Sequence, residues 1–177
     1  MTDQDLIAII ECPKKAIKAN RKKMIEINRS LRNNISLQSL DGKYQFTMFL
    51  RQSTEFYEDF SVGLIWQNPS EVLSNVTRPI ILLRCQGPHD GRADIGADLH
   101  HDYHVHEFTA DDLNCMRLRK PSRKGKAVSF FSFETAISYF IDRWKIKGLG
   151  KVIELPNNCE LDGQISMEEV IQDASIE

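Results

Sequence analysis

No apolar run in this sequence approaches the ~18 residues that a membrane-crossing helix needs. The first five residues, Met1-Thr2-Asp3-Gln4-Asp5, are acidic where an export signal is basic. A cytoplasmic protein without membrane association is the expectation. Proline (6) and glycine (9) are sparse in 177 residues, which excludes collagen-like and low-complexity chains. The four cysteines, Cys12, Cys85, Cys115 and Cys159, lie at least 30 residues apart with no C-x-x-C, arguing against a zinc knuckle or a redox pair. There is no internal repeat, no phosphate-binding P-loop and no H-E-x-x-H.

What remains is 41% apolar and 27% charged, the balance of a soluble globular protein. The length suits one core. Residues 1–155 are expected to form a single α+β domain and residues 156–177 an acidic C-terminal tail with a short helix at about 166–173.

A net charge of -2 hides a strong segregation. Lys14, Lys15, Lys18, Arg21, Lys22, Lys23, Arg29 and Arg32 face one acid, Glu26, in their stretch. From Arg117 to Lys126 there are six basic residues and no acid, whereas the chain after Lys151 has seven acids and no base. Such blocks suit local polyanion binding, or equally well a set of solvated faces.

The periodicity gives an order of elements. Thr2 with Asp5 reads as a capping box opening a helix, which Pro13 ends or kinks. Residues 14–32 place Ala16, Ile17, Met24, Ile27 and Leu31 on one arc at helical spacing, so a basic amphipathic helix is expected there. Strict alternation then predicts strands at Tyr44–Leu50 and Phe60–Trp66, with two more at Ile80–Cys85 and Tyr103–Phe108. Thr109 with Asp112 opens a short helix, and 117–126 reads as an exposed loop. Ser132 caps the clearest helix, in which Phe133, Ala136, Ile137, Phe140, Ile141 and Trp144 form one stripe. A short strand at Val152–Leu155 completes the expected architecture: an antiparallel β-meander of four or more strands packed by the N-terminal and C-terminal amphipathic helices.

All five histidines fall within eighteen residues: His89, His100, His101, His104 and His106. In a strand, His104 and His106 share a face. Three accounts are open. The histidines could be structural; they could hold zinc or manganese through His100, His104 and His106; or a pair could act as acid and base on a phosphodiester without metal or other cofactor. Arg51 and Arg84 each end an apolar strand, an unfavourable place for a guanidinium unless it pairs with a carboxylate or binds an anion.

Arg51, the run Phe60-Ser61-Val62-Gly63-Leu64-Ile65, Leu82-Leu83-Arg84 with Gly87 and His89, His104-Val105-His106 and the Phe133–Trp144 helix together resemble a small bacterial and prophage-associated family of unknown function, over about residues 44–144. Similar compact His-and-Arg proteins of mobile elements include the toxins of toxin–antitoxin pairs, many of which cleave RNA. The resemblance adds to the phosphodiester-cleavage account of the histidines, and a small ribonuclease-like toxin acting on RNA is the expectation. His104 and His106 would be its catalytic pair, assisted by His89, with Arg84 and Arg51 on phosphate and Arg119, Arg123 and Lys124 tracking the backbone. The rival expectation is a non-enzymatic mobile-element protein that inhibits a host nucleic-acid-processing or defence complex. Partners would be RNA or such a complex, with a protein antitoxin or a second copy of the chain as further options.

Overall fold

The structure is a computed structural model that describes residues 2–67, 79–88, 102–116, 121–126 and 129–155. Helix α1 (Asp3–Glu11) opens with the expected capping box, Thr2 accepting from the Asp5 amide and Asp5 reaching back to Thr2. Pro13 separates it from a sheet of nine strands: β1 (Lys14–Ala19), β2 (Ile25–Glu26), β3 (Ser30–Ser39), β4 (Gln45–Ser53), β5 (Phe60–Trp66), β6 (Ile80–Gln86), β7 (His104–Glu107), β8 (Arg123–Lys126) and β9 (Ile146–Lys147). The spatial order is β8-β7-β6-β5-β4-β3-β1-β9, with β2 pairing only β3. Every pair is antiparallel except β1 with β9, which is parallel.

The basic helix expected at 14–32 is replaced by β1, β2 and the start of β3. Its apparent helical arc came from few aliphatics, and the local chemistry favours a hairpin. Asn28 and Arg29 both have positive φ (51° and 58°), and Ile27 and Ser30 exchange backbone bonds across them, the pattern of a two-residue type I′ turn. Strand β3 lacks a full apolar alternation because two of its inward positions are polar. Asn33 is buried and donates to the Arg21 and Lys23 carbonyls, and the buried Ser39 hydroxyl donates to Asp41.

Two other expectations are corrected. Part of the 117–126 loop is a strand, β8, paired to β7 in register. Residues 152–155 are not a strand; the chain makes a 3-10 turn at Leu149–Lys151 and continues irregularly. The helix at 166–173 and the tail at 156–177 lie outside the described residues.

Helix α2 (Ala110–Asn114) carries its Thr109–Asp112 capping box, and helix α3 (Phe133–Arg143) is capped by Ser132 with Thr135. Alternation sorts the sheet into two faces. Phe46, Met48 and Leu50 of β4 and Phe60, Val62 and Leu64 of β5 point to one side. There they join Leu6, Ile9 and Ile10 of α1 and the Phe133, Ala136, Ile137, Phe140 and Ile141 stripe of α3 in one hydrophobic core. The other face of the same strands carries Arg51, Phe49, Ser61 and Gly63, and that polar face holds the candidate site.

Candidate functional site

Register fixes which side chains meet on the polar face. One row crosses five strands as Arg32, Arg51, Ser61, Gln86 and His104. The next row crosses six as Asn34, Phe49, Gly63, Arg84, His106 and Lys124. Arginines from β3, β4 and β6 are thereby brought to one region of this face, those of β4 and β6 against one phenylalanine. Lys18, opposite Ser36, extends the basic face toward the β1 side.

Gly63 makes this arrangement possible. A Cβ at this position would overlap the Phe49 ring, so glycine lets the ring lie flat across the neighbouring strand. Phe49 is 6% exposed yet stands apart from the helix-side core. The Arg51 and Arg84 guanidinium carbons sit 5.6 and 5.8 Å from the centre of its ring, within cation–π range.

The three arginines are held differently. Arg51 donates from Nη1 to the Asn33 and Leu50 carbonyls (2.7 and 2.6 Å) and from Nη2 to Asn34 Oδ1 (2.7 Å). Of five guanidinium N–H groups, two therefore have no acceptor among the described residues. Arg84 and Arg32 each bury Nε without an acceptor among the described residues. No carboxylate of the described residues forms an ion pair with Arg32, Arg51 or Arg84. Burial lowers the pKa of Arg84 and of Arg51, and for Arg51 the cation of Arg32 lowers it further. Arg32 and Arg51 are direct cross-strand partners, and like charges so placed destabilise a sheet. Two cations side by side without a carboxylate partner among the described residues, with a third on β6, form a site complementary to an anion.

A cleft of about 530 Å³ opens over this cluster, lined by Arg29, Arg32, Arg51 and Arg84 with Ser30, Ser53 and Ser61. Glu55 and Asp59 also line it. Glu55 is taken by Arg29 at 2.9 Å. The volume falls in the range of ligand sites.

His104 and His106 do share a face, with ring centroids 4.9 Å apart at an interplanar angle of 68°. They are 1% and 8% exposed. His104 donates from Nδ1 to the Asp102 carbonyl (2.7 Å). Burial, then the neighbouring His104, pulls the pKa of His106 down to about 4, against a smaller upward effect of the Pro121 carbonyl. His106 is neutral at pH 7, and Arg84 is its direct cross-strand partner.

The remaining sequence candidates divide. Lys124 lies on the polar face opposite His106, whereas Arg123 turns to the helix side, 3.8 Å from Glu107. That placement separates Arg123 from the arginine cluster. His89, His100 and Arg119 lie outside the described residues, as does His101. Among the described residues no three His, Cys, Asp or Glu side chains converge as metal ligands. Arg32, Arg29, Phe49 and Gly63 were missed as site residues, the first two because their segment read as a helix. For Phe49 and Gly63 the usable signal was the glycine inside a strand, which marks a close approach. No protein-family model, no curated protein and no solved structure matches the chain.

Proposed function

We propose that the protein binds nucleic acid, with backbone phosphate seated on Arg32, Arg51 and Arg84. The observation that carries this reading is the convergence of three guanidinium groups, from three strands, without a carboxylate partner among the described residues. Arginine forks match phosphate oxygens in a bidentate way, and Ser53 and Ser61 add hydroxyl donors at the cleft wall. Binding without turnover is the form this takes, as expected for an inhibitor of a nucleic-acid-processing complex. The test is fluorescence anisotropy with a labelled oligonucleotide of about 12 nucleotides, within the site sizes of such proteins. Arg32→Gln and Arg84→Met should each weaken binding about tenfold, the worth of one charge-assisted contact. Unchanged binding in both variants would reject the proposal.

A second reading, RNA cleavage by His104 and His106, draws on their 4.9 Å separation beside Arg84. The lowered pKa of His106 makes it a weak base, so such a reaction would have its lower pH limb near 4 rather than near 6.5. Incubating total RNA with the wild type and with His104→Ala/His106→Ala separates the readings. Intact RNA in both leaves binding as the function, and cleavage lost in the double variant establishes the enzyme.

A further inference from the structure

The β4–β5 connection holds two consecutive aromatic side chains in solvent, Phe56 at 72% and Tyr57 at 70% exposure. Rings of this size are normally covered. The loop that carries them is nonetheless well fixed. The Ser53 amide donates to the Asp59 carbonyl (2.8 Å), the Asp59 amide to the Phe56 carbonyl (2.9 Å) and Gln52 Nε2 to the Tyr57 carbonyl (3.1 Å). Ser53 Oγ accepts from the Glu55 and Phe56 amides, and the Thr54 amide ties the loop to the Arg29 carbonyl in the β2–β3 turn (3.0 Å). The rings are thus presented on an ordered support, which reduces the entropy lost when they are covered.

Glu55 and Asp59 from this loop line the arginine cleft, and Phe56 and Tyr57 lie between them in the chain. The charge layout separates two parts of a ligand. Cations occupy the sheet floor, whereas the loop carries the carboxylates of Glu55, Glu58 and Asp59, of which Glu55 alone forms an ion pair among the described residues, with Arg29. A phosphate chain is drawn to the floor and repelled from the loop. Uncharged bases are the part of a nucleic acid that can lie against Phe56 and Tyr57. A duplex encloses the faces of its bases, but a single strand offers them for stacking.

We infer that Phe56 and Tyr57 stack unpaired bases of a single-stranded nucleic acid whose phosphates sit on Arg32, Arg51 and Arg84. This rests on the phosphate-binding reading above, and the test separates the two. Anisotropy of labelled oligothymidylate is read against the same-length duplex and with inorganic polyphosphate as competitor. The wild type should prefer the single strand, and Phe56→Ala/Tyr57→Ala should lower its affinity about tenfold or more while leaving polyphosphate competition unchanged. Phe56→Trp should keep the affinity, and its indole fluorescence should be quenched when the oligonucleotide binds. Equal affinity of the double variant and the wild type, with binding still sensitive to Arg84→Met, overturns this inference alone. Failure of the wild type to bind any of these polyanions overturns both. A dimeric wild type that becomes monomeric on Phe56→Ala/Tyr57→Ala also overturns it, because a second copy would then cover the rings.

Discussion

Arg84→Met should make the protein more stable while weakening its function. The Arg84 guanidinium is largely buried, its Nε lacks an acceptor among the described residues, and its guanidinium carbon lies over the Phe49 face at 5.8 Å. A buried donor without a partner costs about 1–3 kcal/mol. Removing the cation loses a cation–π contact of about 0.5–2 kcal/mol. Methionine keeps an unbranched stem of similar length against the ring and adds a favourable sulfur contact. The balance is a gain of about 1 kcal/mol, or roughly 2–4 °C in melting temperature for a chain of this size. Arg51→Met is the internal control with the opposite sign, since that side chain satisfies Asn33, Leu50 and Asn34 through three hydrogen bonds. Thermal unfolding followed by circular dichroism reads both. A fall of several degrees for Arg84→Met, with oligonucleotide affinity intact, would show that Arg84 is a structural residue and refute the reasoning.

Gly63→Ala should destabilise by about 1–3 kcal/mol, the range for overpacking, because the new methyl group displaces Phe49. Urea titration measures it, and Gly63→Ala/Phe49→Leu should recover part of the loss; a silent Gly63→Ala would remove Phe49 from the account. Lys14 is fully buried and donates to the Ile10 and Cys12 carbonyls at the end of α1, and burial lowers its pKa from 10.5 to about 8. Between these values the unfolded chain binds more protons than the folded one, so this residue makes stability rise with pH from about 8 to about 10.5. The full swing is on the order of 3 kcal/mol. Lys14→Met should remove this rise in urea midpoints, and an identical pH dependence in the variant would contradict it.

Much of the architecture follows from local sequence. The alternation of β4 and β5, the apolar run of β6, the Thr2–Asp5 and Thr109–Asp112 capping boxes, the Ser132 cap and the Phe133–Ile141 stripe each specify one structure with little competition, and all form as expected. Segment 14–32 reads as a helix because the strands that form there and continue to Ser39 have polar inward positions, Lys14, Asn33 and Ser39, whose polar atoms find partners only in the folded chain. A buried lysine that caps a helix cannot be told from a solvated one by periodicity. The site shows the same division. Arg51 and Arg84 stood out as cations at the ends of apolar strands, and His104 with His106 as a shared face. Arg32 joins them only through the β3–β4 register, a pairing between residues nineteen apart in sequence that no local pattern encodes. The exposed Phe56 and Tyr57 carried no signal in composition, since an aromatic pair reads as core until burial is known.

The salt dependence of binding tests the central claim most directly. Each phosphate neutralised on a single strand contributes about -0.7 to the slope of log affinity against log salt. Three arginines on the polar face predict a slope of about -2 for the wild type and about -1.4 for Arg84→Met, by the same per-phosphate value. A wild-type slope near zero, or a slope that Arg84→Met leaves unchanged, would contradict phosphate binding at this cluster.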